Sequence, residues 1–376
     1  MSINKKKVLV IAARFSGNLG DDVIYDVVAD ICETVRGTDP IGLSISGRDN
    51  YVETALSSEE TNANNFKSTL KHNVLYKYYV EKKGAMCLKK KLRSIDIEAF
   101  DTVVFAGGQL FMDYFVPWIN IIVRYAEKNN KKVIFNCCGI GELSSKSVQI
   151  LKRVFQSKSV KAISVRDNLI KFQDEFHLHD VIQTADPALN CARVYSVKRK
   201  HIGTVGLGVI SYRMLKKKNI NISEDNYIQL LKKLVDWIMQ SGKNVRIFTN
   251  GDEEDYKFAS QFAKILPTEV AFERRPTRPI ELVSIIASYD AVVSFRLHSL
   301  IVAASYNIPT IGFVWDEKVR EFFEIINRDE YVFEISNDMD EGNVEACVKN
   351  LCLLDTYETN YSIPSSSDVL SELLYM

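Results

Sequence analysis

The sequence predicts an α/β protein built on two parallel sheets, and three observations predict it. Short β-branched runs alternate with longer segments whose apolar residues recur at helical spacing. The alternation stops midway and then starts again. Glycines and polar residues cluster where the apolar runs end. Strands separated by amphipathic helices are joined by right-handed crossovers and therefore pair in parallel. Ligands of such sheets gather beyond the carboxyl ends of the strands.

In the first half, Val8–Ala13, Thr102–Ala106, Lys132–Asn136 and Ala162–Val165 read as buried strands. Asp22–Val35 and Trp118–Lys128 read as helices between them. Asn190–His201 is basic and weakly periodic and reads as a linker. Beyond it, Val205–Ile210, Val245–Thr249, Ala291–Phe295 and Thr310–Val314 read as strands. Asp225–Gln240, Glu253–Leu266, Ile280–Ser288 and Leu297–Tyr306 read as helices. The domains expected are 1–190 and 200–376, two similar sheets facing across a cleft that is the default ligand site.

Length and composition agree. A chain of 376 residues suits about two domains. Apolar residues at 46% and charged residues at 26% are ordinary globular usage. Zero formal net charge gives no global attraction to nucleic acid. The seven cysteines are scattered without a C-x-x-C pair, which argues against a disulfide framework or zinc site and for buried thiols in a reducing compartment. Val8–Ala13 is too short to span a bilayer, and no other run is long enough. A cytoplasmic location is expected.

The segment Asn73–Arg93 fits neither half. Lys82, Lys83, Lys89, Lys90, Lys91 and Arg93 accompany Tyr76, Tyr78, Tyr79, Met86, Leu88 and Leu92. It reads as a basic helix, either a solvated one packing its tyrosines on the first domain or one that docks on the inner membrane or reaches toward a lipid-linked acceptor.

Four motifs sit at strand ends. Gly17-Asn18-Leu19-Gly20-Asp21-Asp22 combines glycines for close backbone approach with a helix N-terminus that favours anions, and Asp21 or Asp22 is expected to cap that helix. Ala106-Gly107-Gly108, with Asp113 beyond, allows similar approach. Arg166 closes a strand, where it suits a carboxylate or phosphate, or else an ion pair with Asp167. Arg296-Leu297-His298-Ser299 is the sharpest, a cation and a titratable group at a strand-to-helix junction. Lys318 follows at the end of the next strand, and adjacent strand ends would bring Arg296, His298 and Lys318 into one patch. Asn250-Gly251-Asp252 ends another strand and ranks low. No carboxylate or Cys/His set has metal-ligand spacing, His177 and His179 included.

Taken in order, these motifs resemble the polysaccharide pyruvyl transferase family. The resemblance also uses Asp186-Pro187-Ala188-Leu189 and Ile308-Pro309, and it spans residues 8 to 323. Ala106 and Glu142 stand where the family commonly has glycine and proline. The resemblance implies two Rossmann-like domains in a GT-B-like arrangement, with 1–190 the acceptor side and 200–376 the phosphoenolpyruvate side. It implies Arg166, Arg296, His298, Ser299 and Lys318 as donor-binding residues. It implies Asp21, His298 and Lys318 as catalytic residues, with Asp21 and His298 able to exchange acid and base roles. Asn18, Gly107, Gly108 and Asp113 are the acceptor candidates. The partners expected are phosphoenolpyruvate as co-substrate, with no cofactor or metal, and a sugar acceptor, in this family often lipid-linked. The alternative is a nucleotide-sugar glycosyltransferase of the same architecture, since fold alone does not fix chemistry.

Overall fold

The computed structural model describes residues 6–45, 74–356 and 358–375, with side chains in the 74–94 helix from Gly84 onward. The chain divides into two compact units. The first comprises Met1–Ser16, Ile31–Ile182 and Leu370–Met376, and the second Gly17–Asp30 and Gln183–Val369.

The chain opens with β1 (Lys7–Ala12), α1 (Leu19–Arg36), β2 (Ile41–Ser44) and α2 (Val74–Ser94). Then come β3 (Phe100–Phe105), β4 (Gly108–Phe111), α3 (Val116–Lys128) and β5 (Lys132–Ile140). They are followed by α4 (Ser145–Phe155), β6 (Val160–Val165), α5 (Leu169–Phe176) and β7 (Ile182–Gln183). The described strands order β2-β1-β3-β5-β6-β7, with β4 beside β5. The β1–β2, β1–β3, β3–β5, β4–β5 and β5–β6 pairings are all parallel. One face is held by aromatic packing: Phe105 stacks on Phe135 at 4.5 Å, and Phe111, Phe155, Phe172 and Phe176 continue the cluster. Each such ring contributes about 1.5–3 kcal/mol when fully buried.

The basic helix packs on this core. Leu88 and Leu92, read from sequence as interfacial surface, are buried there. Four residues before Leu88, a Cβ on Gly84 would meet the Trp118 ring of α3 at 2.7 Å. Met86, Lys89, Lys90 and Arg93 face outward. Residue 73 and the side chains of Tyr76, Tyr78, Tyr79, Lys82 and Lys83 lie outside the described residues. No described helix is long and apolar enough to cross a membrane. Cys87 is exposed and Cys347 half-buried, whereas the other five cysteines are buried as expected.

The second unit continues with a 3-10 turn (Pro187–Asn190), α6 (Cys191–Val194), β8 (Thr204–Gly208), α7 (Tyr212–Lys217), α8 (Glu224–Gln240) and β9 (Asn244–Phe248). Next are α9 (Glu253–Ala263), β10 (Ala271–Phe272), α10 (Pro279–Ile286), β11 (Ala291–Ser294), α11 (Leu297–Ser305) and β12 (Thr310–Val314). It closes with α12 (Glu317–Ile325), β13 (Val332–Glu334), α13 (Glu341–Leu353) and α14 (Ser366–Tyr375), the last running from the second unit into the first. The strand order is β10-β9-β8-β11-β12-β13, again parallel throughout.

The units are not cut where composition suggests. The stretch read as a linker, Asn190–His201, is built into the second unit. The Tyr195 hydroxyl donates to Asp26 at 2.5 Å, the Lys200 amide donates to the Ala287 carbonyl at 2.9 Å, and Arg199 donates to the Asn307 carbonyl at 3.0 Å. Arg193 pairs with Asp30 and Arg199 serves carbonyls of that unit, so this stretch is not a solvated connector throughout. Asp26 also shows that the first part of α1 belongs to this unit.

Candidate functional site

A connected polar cluster lies at the strand ends of the second unit. Strand β11 ends in Ser294, and α11 starts three residues later, with Arg296 in extended backbone as its N-cap. Gly208 on β8 makes room for this junction, because a Cβ there would lie 2.5 Å from the Ser294 hydroxyl oxygen. That hydroxyl accepts the Arg296 amide at 3.1 Å. Arg296, His298 and Ser299 therefore leave the sheet at a helix N-terminus, where aligned amides favour anions.

Arg296 is braced by a residue the motif did not reveal. Its Nε and Nη2 reach Asp255 Oδ2 at 2.7 and 2.6 Å. Asp255 is fully buried on α9, and its other oxygen accepts the Ser211 amide at 2.9 Å. Burial pushes this carboxyl above its ordinary range, while Arg296 pulls it back down.

Lys318 joins Arg296 through an indole. It lies in the first turn of α12, beyond the strand end where the sequence put it. Trp315 donates its Nε1–H to the Phe295 carbonyl at 2.5 Å, which fixes the ring. Arg296 Cζ is 5.4 Å and Lys318 Nζ 5.1 Å from the ring centroid. Asp316 lies 2.9 Å from Lys218 Nζ and 3.8 Å from Lys318 Nζ. Burial would raise its carboxyl, but Lys318 and Lys218 together hold it below the usual carboxylate range.

The first motif meets this cluster. A Cβ on Gly20 would collide with the His298 ring, which is itself 8% exposed. The Leu19 amide donates to the Asn250 carbonyl at 3.2 Å, and a Cβ on Gly251 would meet the Leu19 side chain at 2.8 Å. Asp21 and Asp22 do not cap α1. The helix begins at Leu19, so both lie in its first turn, where their charge suits the positive helix end. Asn18, just before it, donates to Asp21 Oδ2 at 3.3 Å.

The loop ranked low, Asn250-Gly251-Asp252, is central. The Ser299 hydroxyl donates to Asn250 Oδ1. Arg275 donates to the Gly251 carbonyl at 2.7 Å. Asp252 caps α9 by accepting the amides of Glu254 and Asp255. This loop thus positions Arg296, through Asp255, and Ser299.

The remaining candidates lie in the first unit. Arg166 is buried and forms the ion pair with Asp167 that the sequence left open, at 3.0 Å, packed where a Cβ on Gly139 would intrude. Gly107 and Gly108 have φ of 115° and 75°, conformations that favour glycine. Asp113 is exposed and accepts the Ser144 amide and hydroxyl at 2.8 and 2.9 Å, holding the start of α4.

Two Rossmann-like parallel-sheet units, with polar groups gathered at strand ends, define a GT-B-like α/β enzyme fold. The S. aureus MnaA–UDP co-structure aligns with a TM-score of 0.57 at 10% identity, covering 98% of this chain and 96% of that chain. UDP-GlcNAc 2-epimerase from Methanocaldococcus jannaschii aligns at 0.55 with 8% identity, covering 99% and 100%. At such identities the likeness is one of fold. No curated protein sequence matches the chain significantly. The family model for polysaccharide pyruvyl transferases matches residues 18–317, and the chain belongs to that family of transferases in polysaccharide biosynthesis.

Proposed function

We propose that the protein transfers pyruvate from phosphoenolpyruvate to one sugar of a cell-surface glycan or its precursor, as a ketal across two hydroxyls. The observation that carries this reading is the pairing on one fixed indole of Arg296, at the start of α11, and Lys318, in the first turn of α12. Phosphoenolpyruvate brings a carboxylate and a phosphate close together. Two cations that contact the same ring suit both, and guanidinium matches the planar carboxylate.

In the proposed reaction, a proton is added to the methylene carbon, which becomes the methyl group. The first sugar hydroxyl bonds to C2 and gives up its proton. The C2–O bond to phosphate then breaks, and its electron pair leaves with inorganic phosphate. The second hydroxyl bonds to the same carbon and releases its proton, which closes the ring. Asp21 supplies acid–base capacity in the first turn of α1. His298 and Lys318 stabilise charge on the departing phosphate. Asn18, Gly107 and Gly108 remain the acceptor candidates. Asp113 is the weakest of that set because Ser144 already occupies it. Arg166 is paired with Asp167, as Arg296 is with Asp255, and it remains a donor candidate in the first unit.

Incubation with phosphoenolpyruvate and a panel of free and lipid-linked glycans, read by mass spectrometry, tests the proposal. A pyruvate-ketal mass gain with release of inorganic phosphate is expected. Transfer from a nucleotide sugar, with none from phosphoenolpyruvate, would replace the reading with glycosyl transfer.

A further inference from the structure

Asn250 lies directly beyond β9 and is 2% exposed. Its backbone carbonyl accepts the Leu19 amide at 3.2 Å, so the residue is tied to the loop that leads into α1. Its side-chain oxygen accepts the hydroxyl of Ser299, in the first turn of α11. Oδ1 is turned to Ser299, and Nδ2 is left as a donor with no hydrogen-bond partner among the described residues.

An unmade hydrogen bond at a buried amide costs about 1–3 kcal/mol. Buried polar groups are almost always satisfied, and exceptions concentrate where a protein waits for a ligand. Here the orphaned donor sits beside the N-terminus of a nine-residue helix, whose aligned amides favour negative charge. On the same first turn are Arg296, braced by Asp255, and His298. Asn250 Nδ2 lacks an acceptor, and an anionic oxygen satisfies both this amide and the helix end.

We infer that Asn250 is an anion-binding residue of this site, its Nδ2 donating to a phosphate or carboxylate oxygen seated at the start of α11. The inference deepens the phosphoenolpyruvate reading in that it names a further contact. It requires only that an anion bind in the second unit. Neighbouring Gly251, at φ 95° and pressed by Leu19, lets the loop turn so that Asn250 faces the helix while Asp252 turns to cap α9.

The test uses Asn250→Asp, which keeps an oxygen for Ser299 and replaces only the donor with a carboxylate oxygen. Asn250→Ala serves as the second variant, because a buried charge can itself unfold a chain. Calorimetry on the full chain measures binding of inorganic phosphate, phosphoenolpyruvate and UDP, and a thermal melt reports folding. Asn250→Ala is expected to weaken phosphate and phosphoenolpyruvate binding about tenfold, the size of one charge-assisted hydrogen bond. Asn250→Asp is expected to weaken them further by repulsion, with Asn250→Ala melting within a few degrees of the wild type. Unchanged affinity for every anion in folded Asn250→Ala would overturn the inference, as would a wild-type chain that binds none of the three. Binding of UDP alone, lost in Asn250→Ala, would leave Asn250 in place and remove phosphoenolpyruvate as the donor.

Discussion

The imidazole of His298 fills the space in which a side chain on Gly20 would begin. A Cβ there would lie 2.1 Å from His298 Cγ and 2.2 Å from Nδ1. Residues from the two ends of the site are therefore fitted to one another, and Asp21 follows the contact directly.

Gly20→Ala should displace the His298 ring. Overpacking of this kind costs about 1–3 kcal/mol, and misplacing a catalytic group by about 1 Å costs turnover about 10²-fold. A thermal melt and steady-state rates with phosphoenolpyruvate check both parts. A variant with wild-type turnover would show that His298 tolerates movement and is not part of the chemistry.

Asp21→Asn should lower turnover by about 10²–10⁴-fold, the usual contribution of an acid–base group, and leave phosphoenolpyruvate affinity near the wild-type value. The amide keeps the oxygen that accepts from Asn18, so the start of α1 is preserved. Full turnover in this variant would reduce Asp21 to a favourable charge at the helix end.

Trp315→Leu removes the surface that Arg296 and Lys318 share. Each cation–π contact is worth about 0.5–2 kcal/mol, so the KM for the donor should rise about tenfold or more, and kcat should fall too because Lys318 is loosened. A fall in kcat at constant KM would instead assign the indole to the transition state.

Asp316 sets an acid limit on stability. Its carboxyl is held below the ordinary range because Lys318 and Lys218 outweigh its burial. A carboxyl depressed in the folded state adds stability above its unfolded value, near about 4, and loses it as the pH falls through the folded value. Asp316→Asn should therefore melt below the wild type at neutral pH, and the gap should close as the pH drops below about 4. A gap independent of pH would mean that Asp316 acts by shape and hydrogen bonding alone.

Most of the frame was legible because parallel strands buried on both faces announce themselves as apolar runs. Thr310–Val314 was placed to the residue, and α8 and α11 within one residue at each end. Short edge strands such as β7 and β10 were missed, since two residues carry no period. The sharpest motif was found because Arg296, His298 and Ser299 are neighbours in sequence. Of their partners, Asn250 was noted at a strand end and ranked low, whereas Asp255 meets Arg296, and Lys218 meets Asp316, only through the fold. Lys218 in particular sits in a run of lysines that reads as a solvated face. Gly20 was recognised as a turn glycine, but its reason is the ring of a distant histidine.

The second unit takes its opening segment, Gly17–Asp30, from the start of the chain and the rest from Gln183 onward. Synthesis therefore makes its first piece long before the strands that receive it. Gly20 leaves the ribosome early and meets His298 only when most of the polypeptide exists. Contacts this remote in sequence slow folding, since the intervening chain must be ordered first. A fragment starting at Gln183 carries the sheet of that unit and the Arg296–Asp255 pair, yet lacks the glycine loop that packs on His298. Neither half of this protein is a portable module: expressed alone, each is an incomplete object, and a chain stopped before α11 leaves the ribosome without the histidine that packs on its glycine loop.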